Sequence, residues 1–450
     1  MFVAESPPIR ELVHEVGVDV LGGVLTRAFT PDGAGRSDDY IHWDKLRHLP
    51  PPKNLSSREW WAQIKLARVG DMRYLPLTDP GGREFSYCLP DLVLRHLHHI
   101  DQHCAGEVGM DKVVTSERQA GRRFLVNSLM EEAIRSSQLE GATTSRRVAR
   151  EMLRSGREPK DLGERMVANN YRALQFMREQ MEGDLTPEAI LALHRIVTEG
   201  TLDDPAAAGR LQRPGEVRVS VYYRDEDEQP VHRPPPADQL PARMQLLCDF
   251  ANEREDGERF VPPVLRAILL HFWLAYDHPF EDGNGRTARI LFFWAMRSRG
   301  YWLAEYLPIS RLIRGARSKY ERAFLETEAD EGDTTYFLLH QLNLIERAIT
   351  DLHSYLQRKI AERHSVEEML DVAEGLNGRQ LALLSHAIKN PDHAYTFGGH
   401  ARSHRVTHET ARSDLSALDQ RGLLVRRRLG RRYLFETPSD LAARLKESTA

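Results

Sequence analysis

Apolar residues recur at helical spacing along most of the chain. Leu92, Leu94, Leu97 and Ile100 predict one helix. A stronger one covers about Ser116 to Gln138, with Phe124, Leu125, Leu129 and Ile134 on its apolar stripe and Gly141 placed to stop it. Met166, Tyr171, Leu174 and Met177 mark a third, and Thr186-Pro187 opens a fourth with an N-cap and a proline at its first position. The period then shortens: Val217, Val219 and Val221 alternate with Arg218 and Ser220 as in a strand, and Asp225 to Glu228 reads as a turn. Helices return at Ala242 to Asn252 and across Val264 to Tyr276. Ile290 to Met296 is apolar all round, which predicts burial inside a bundle. A long amphipathic helix is expected over Tyr336 to Arg363, and a polar linker around Asp371 to Gly378. The first 88 residues, broken by Pro50-Pro51-Pro52 and Asp79-Pro80-Gly81-Gly82, predict no particular fold.

Composition adds little and excludes much. Of 450 residues, 41% are hydrophobic and 28% charged, the mix of an ordinary globular protein. The net charge of −4 argues against a chain that coats nucleic acid along its length, but leaves room for one basic module. Three cysteines without a CxxC give neither a disulfide framework nor a zinc site and fit a reducing compartment. With no signal-peptide pattern and no apolar run near the roughly 20 residues of a membrane span, a cytoplasmic, non-membrane protein is expected.

The densest chemistry lies between the two most apolar helices, in His278-Pro279-Phe280-Glu281-Asp282-Gly283-Asn284-Gly285-Arg286-Thr287-Ala288-Arg289. Pro279 disfavours a helical His278, so the preceding helix should end there and leave an imidazole at its tip. Gly283, Asn284 and Gly285 at the start of the next helix can form an anion-binding nest. Arg286 and Arg289 share a helix face and suit a polyphosphate. Asp282 is a hard oxygen ligand of the kind that holds magnesium together with substrate phosphates. His278 is a base that can be neutral near pH 7. Each residue also has a plainer reading: His278 as a helix terminator, Asp282 as an N-cap, the glycines as a turn.

This stretch resembles the Fic family signature HxFx(D/E)GNGRxxR at every specified position. Ala208-Gly209-Arg210, the Val217 to Val221 strand and Pro234-Pro235-Pro236 resemble the family's flap, and Pro262-Pro263 and His271 are also family-like. The resemblance implies transfer of AMP from ATP to a Ser, Thr or Tyr hydroxyl of a target protein or of the chain itself. His278 would be the general base and Asp282 the Mg2+ ligand. Gly283, Asn284 and Gly285 would cradle phosphates, Arg286 would contact the β-phosphate and Arg289 the γ-phosphate. The flap would pin the target backbone by strand addition.

Upstream, Ser136-Ser137-Gln138-Leu139-Glu140-Gly141 places Ser136 and Glu140 four apart on one helix face. Alone, it reads as a helix C-terminus closed by Gly141. Beside the signature it resembles the family's inhibitory motif (S/T)xxxE(G/N), in the class that carries it on an N-terminal helix. The resemblance implies that Glu140 pairs with Arg289 and denies it to the γ-phosphate, or that Glu140 serves AMP removal.

From Leu376 to Phe435 the pattern reads as three helices and two short strands. The strands, Leu423 to Val425 and Tyr433 to Phe435, would be joined through a basic connection, Arg426 to Arg432. This resembles a winged helix-turn-helix. Thr396 to Phe435 holds nine arginines and three acids, a net +6 that fits a phosphate footprint, while protein contact remains the other use.

The expected architecture is therefore mainly α: a Fic-type helical bundle with a small β-hairpin flap, plus a C-terminal winged-helix domain. The expected boundaries are 1–88, a segment of unassigned fold; 89–185, the helical region with the inhibitory helix; 186–351, the catalytic core; 352–375, a helical linker; and 376–440, the winged helix. The expected function is a self-inhibited protein adenylyltransferase using ATP and Mg2+. The alternatives are a nucleotide-sensing DNA-binding regulator, or a related enzyme of AMP removal or other phosphate-linked transfer. ATP, a target hydroxyl and DNA are the expected partners, and a homodimer is left open.

Overall fold

The computed structural model describes residues 3–14, 40–53, 55–105, 118–218, 232–254, 260–371, 375–429 and 432–447. Two compact units divide it, Met1–Thr350 and Asp351–Ala450.

The first unit is helical. Helix α1 (Ser57–Val69) starts at a capping box, in which Ser56 Oγ accepts from Glu59 N and the Glu59 carboxylate accepts from Ser56 N. Strands β1 (Arg73–Thr78) and β2 (Glu84–Tyr87) pair antiparallel across the Asp79-Pro80-Gly81-Gly82 turn. Leu75 and Leu77 are buried while their neighbours Tyr74 and Pro76 face solvent. That alternation is present in the sequence of segment 1–88, for which no fold was expected.

Next come α2 (Asp91–Cys104), α3 (Arg118–Leu139), α4 (Arg146–Ser155), α5 (Leu162–Gln180) and α6 (Pro187–Thr198). Helix α6 begins as its sequence directs, with Thr186 Oγ1 accepting from Ala189 N and Pro187 in the first turn. Helices α7 (Leu240–Asn252), α8 (Pro263–Asp277), α9 (Asn284–Ser298), α10 (Arg317–Ala329) and α11 (Thr335–Asp371) follow, with short helical turns at Trp43–Leu46 and Ile309–Gly315 besides. Helices α8 and α9 are apolar on nearly every side and form the centre of the unit, with α3, α5 and α6 packed around α9. Helix α11 runs eight residues beyond the expected Arg363. It thereby runs through most of the segment 352–375 expected as a helical linker and ends where the polar stretch Asp371 to Gly378 begins.

The N-terminal segment is tied to this bundle by buried charge. Lys65 Nζ donates to Asp330 at 2.9 Å, and Ser6 Oγ donates to the same carboxylate. Arg68 donates to Tyr336 Oη and stacks over Tyr40. Charges taken out of water persist only when paired in this way.

The second unit contains α12 (Gly378–Lys389), α13 (Phe397–His404), α14 (His408–Gln420), strands β3 (Val425–Leu429) and β4 (Arg432–Glu436), and α15 (Leu441–Glu447). Strands β3 and β4 pair antiparallel, and Tyr395, between α12 and α13, bridges to Phe435 of β4. The core is Leu383, Leu384, Leu415, Leu418, Leu423, Leu424 and Phe435 with their neighbours. Here the sequence expectation needs correction: Arg426, Arg427 and Arg428 lie within β3, not in the connection between strands.

Candidate active site

Helix α8 ends at Asp277, and His278 caps it in the left-handed region with φ 45°. The cost of that conformation is offset by the anchoring of its predecessor. The buried Asp277 carboxylate accepts from Arg243 at 2.6 and 2.9 Å and from Trp273 Nε1 at 2.9 Å, and its carbonyl accepts from Arg218 at 2.7 Å. The loop that follows is clasped by Asn284, whose side-chain amide donates to Phe280 O and accepts from Phe280 N. Phe280 is fully buried and stacks on His194, with ring centroids 3.8 Å apart.

His194 was not among the residues singled out from the sequence. It lies on the apolar face of α6, where a histidine reads as ordinary core. Gly209 N donates to its Nδ1 at 3.0 Å, so Nε2 carries the proton and donates to Asp282 O at 2.8 Å. Burial lowers its pKa to about 4, in keeping with a neutral ring that holds the loop.

Helix α9 starts at Gly283, which has φ 82° and gives no side-chain cap; Asp282 is not its N-cap. The first-turn amides therefore carry the positive end of the helix without a side-chain acceptor. Asp282 is half in solvent, and its carboxylate accepts from Arg286 at 2.9 Å. Arg286 has no exposed surface and also donates to Val197 O.

Arg289 is held by the end of α3. Its Nε donates to Ser136 Oγ at 2.9 Å, and its Nη2 donates to Ser136 O at 3.2 Å and to Glu140 Oε1 at 2.8 Å. Burial favours the neutral acid of Glu140, but the positive charge and hydrogen bond of Arg289, with Arg286 and Arg317 behind, outweigh it and hold the pKa below the ordinary carboxylate value. The carboxylate lies so close over Gly285 that a Cβ there would collide with it. Gly141, at φ 94°, lets the chain turn away.

These groups surround a cavity of about 210 Å3, lined on one side by Glu140, His278, Asn284, Gly285 and Arg289 and on the other by Tyr320, Phe324 and Leu325 of α10. The His278 backbone N–H closes α8 by donating to Leu274 O at 3.1 Å, while its imidazole makes no hydrogen bond to any described residue. Burial first, then the nearby positive charges of His232 and Arg218, lower its pKa to about 4, so it is an unprotonated base near neutrality. His232, also missed from the sequence, donates to Tyr276 O at 2.7 Å and pairs through Nδ1 with Glu328 at 3.0 Å. Burial opposes its charge, but Glu328 prevails and raises its pKa. His271 Nε2 meets Tyr320 Oη at 2.9 Å behind the cavity.

All ten residues singled out from the sequence thus fall in one place: Ser136, Glu140 and Gly141 at the end of α3, His278 and Asp282 in the loop, and Gly283, Asn284, Gly285, Arg286 and Arg289 at the start of α9. Of the expected flap, Val219, Val221 and Asp225 to Glu228 lie outside the described residues. Its described flanks are fastened to the loop, where Gln212 N donates to Pro279 O, and to each other, where Arg218 Nε donates to Pro235 O.

Residues 184–296 match the profile of the Fic/DOC family. The chain is 29% identical over 215 residues to the protein adenylyltransferase Fic of Drosophila grimshawi, covering 48% of this chain and 39% of that protein. It is 31% identical over 199 residues to the one of Drosophila melanogaster, covering 44% and 35%. The chain thus aligns with little more than a third of these relatives' length. The crystal structure of a Fic family protein from Desulfovibrio desulfuricans G20 is similar in fold, with a TM-score of 0.55 at 19% identity over 78% of this chain and 98% of that one. Residues 184–296, with His278 and both arginines at the junction of α8 and α9, are a Fic/DOC family domain.

Proposed function

We propose that the chain is a self-inhibited protein adenylyltransferase. A target Ser, Thr or Tyr hydroxyl oxygen attacks the α-phosphorus of ATP. The bond from that phosphorus to the pyrophosphate oxygen breaks, and the hydroxyl proton passes to His278. The base is ready because its imidazole is unprotonated at neutral pH. The uncapped first turn of α9 supplies amides to the phosphates, and Arg289 is the γ-phosphate ligand. The apolar side of the cavity, at Phe324 and Leu325, takes the base of the nucleotide.

One carboxylate with free oxygen surface, next to a phosphate site, fits magnesium. Asp282 would hold the ion, which would neutralise charge on the phosphates. Arg286 orients the Asp282 carboxylate in the present state, and a β-phosphate contact requires it to release that carboxylate. The reading places the protein in the cytoplasm, in keeping with three free, buried cysteines. Among the described residues no helix is long and apolar enough to cross a membrane.

The observation that carries the reading is the lock of Arg289 by Ser136 and Glu140 over the cavity that holds His278. Incubating wild type and Glu140→Gly with labelled ATP and cell lysate, followed by mass spectrometry of the modified side chains, tests it. Labelled AMP on a hydroxyl, increased by the substitution, is the expected result. Loss of activity in Glu140→Gly would instead make Glu140 a catalytic participant, as in AMP removal.

A second reading concerns residues 376–440. The helix, bridge strand, two helices and hairpin follow the order of a winged helix, and all five described residues of β3 are exposed, three of them arginine. No folding requirement explains such a strand. We propose that it lies along duplex DNA phosphates while α14 enters the major groove. Anisotropy titration of the full chain with duplex DNA at several salt concentrations tests this, and absence of binding at low salt rejects it.

A further inference from the structure

The last carbonyls of a helix have no partner within it and need donors from elsewhere. At the end of α8, where the base sits, three donors come from the segments on either side of residues 219–231. Tyr276 O accepts from His232 Nε2 at 2.7 Å, and Asp277 O accepts from Arg218 Nη2 at 2.7 Å. Pro279 O, just beyond the helix, accepts from Gln212 N at 2.9 Å. Asp277 and Pro279 are the neighbours of His278, so Arg218 and Gln212 hold its backbone before and after it. These two are also joined to each other. Arg218 Nη1 donates to Gln212 Oε1, and Arg218 Nε donates to Pro235 O at 2.9 Å. The three nitrogens of one guanidinium thus donate to three different segments. A planar, rigid fork with all three arms used has one position, and its positive charge suits the negative end of α8.

The turn held in this way needs holding. His278 has φ 45° and ψ 54°, a left-handed conformation that a residue with a Cβ adopts only when its surroundings impose it. A general base is ordinarily aimed by a hydrogen bond from a third group to its ring. Here the imidazole makes no such bond to any described residue, so its aim into the cavity depends on the backbone that carries it. We infer that Arg218 is a positioning residue for His278, which fixes the left-handed turn through the Asp277 carbonyl and so aims the base. The inference rests on the transferase reading for what the base does, and on the hydrogen bonds for how it is aimed. The Asp277 carboxylate is held separately, by Arg243 and Trp273. Losing Arg218 should therefore release the turn and leave the end of α8 in place.

Geometry and rate are tested separately, on the full chain. A crystal structure of Arg218→Met should show His278 outside the left-handed region and its ring displaced. In the Glu140→Gly background, where Arg289 is released, Arg218→Met should lower kcat by about 100-fold, the order of loss when a reacting group is misplaced by about 1 Å. KM for ATP and nucleotide affinity should stay nearly unchanged, because α9 and not this turn supplies the phosphate ligands. Arg218→Lys, which can reach one of the three acceptors, should recover part of the loss. The acidic limb of the rate is a further readout. The positive charges of His232 and Arg218 face His278 against the negative charges of Glu140 and Asp282, and burial, the largest influence, brings its pKa down to about 4. Arg218→Met should move that limb to higher pH, and Arg218→Lys, which keeps the charge, should not. His278 unmoved in the Arg218→Met structure overturns the inference whatever the transfer assay shows. A fall in nucleotide affinity in step with kcat overturns it too, since Arg218 would then support the fold as a whole. A displaced His278 in a chain that transfers no AMP in either background would sustain the inference and reject the transferase reading.

Discussion

The chain uses arginine in two opposite ways. At the start of α9, Arg286 and Arg289 are 0% and 3% exposed, and both are spoken for by carboxylates and carbonyls of the same unit. On β3, Arg426, Arg427 and Arg428 are all exposed. Arg426 lies 3.5 Å from Asp419, and Arg427 pairs with Glu436 at 3.0 Å in solvent. A buried guanidinium has lost its hydration and must be satisfied by protein or by ligand, so any competition for it is worth several kcal/mol. An exposed one retains its water, and its pairing is worth less than about 1 kcal/mol. The first kind can gate a reaction. The second can only contribute to a sum, and salt weakens that sum.

The largest effect should come from the base that the buried arginines surround. His278→Ala should lower transfer by roughly 100- to 10,000-fold while nucleotide affinity stays nearly intact, because the imidazole acts on the incoming hydroxyl and not on the phosphates. Steady-state transfer together with nucleotide titration checks both halves. The wild-type rate should also stay level on its basic limb from pH 5 to 8. With a pKa lowered to about 4, His278 is already deprotonated there, and activity should fall only as pH drops towards that value. A break near 6.5 would mean that the base is solvated.

The gate comes next. Glu140→Gly should raise transfer by about 10- to 100-fold, the equivalent of the 1.5–3 kcal/mol of a hydrogen bond between charged groups. Adding Arg289→Ala should cancel the gain, since the freed guanidinium is what the first change supplies. A radiolabel transfer assay on the single and double variants reads this. If the double variant stays fast, the lock acts through something other than Arg289.

What the sequence made legible was local. Pro279 and the two glycines dictate how α8 ends and α9 begins, within a dozen residues, and the Ser136 to Gly141 motif was visible as one helix terminus. What it concealed was long-range. His194 meets Asp282 across 88 positions, Arg243 meets Asp277 across 34, and Lys65 meets Asp330 across 265. No periodicity encodes such pairs, and a histidine on an apolar helix face looks the same whether or not it holds a catalytic loop. The β1–β2 hairpin is an intermediate case. Its alternation and its turn were both in the sequence, but four to six residues of pattern are too few to stand out beside long helices.

The second unit repeats the contrast in miniature, because it has one buried charge of its own. Asp414 is 3% exposed and accepts from Arg379, Asn377 and His400. Burial would raise its pKa, but these donors outweigh it and bring it down to about 2. A carboxyl held below its unfolded value of roughly 4 adds stability above that value and loses it as pH falls towards 2, here about 2 kcal/mol. Urea unfolding of the full chain, followed by a probe in this unit, should show that loss between pH 5 and 2. Asp414→Asn should remove the pH dependence and cost about 3 kcal/mol at pH 7, because Arg379 and His400 lose their partner.

The smallest stability change is expected on β3 and β4, and it is the one that shows what their arginines are for. Arg427→Ala and Arg432→Ala remove exposed side chains, so unfolding free energy should move by less than about 0.5 kcal/mol. Binding should respond differently. Each phosphate neutralised contributes about 0.9 to the slope of log affinity against log salt, so losing two contacts should flatten that slope by nearly 2 and weaken duplex binding most at low salt. Transfer to a peptide should be unaffected, since both residues lie outside the site formed by α3, α8, α9 and α10. Substitutions on the exposed side of α14, at Arg412 or Ser413, should instead change the preference among duplex sequences with little change in slope, because base edges carry sequence information and phosphates do not. An unchanged slope in the double variant would mean that the hairpin does not lie on the phosphates, and the exposure of β3 would then have to be explained by a protein partner.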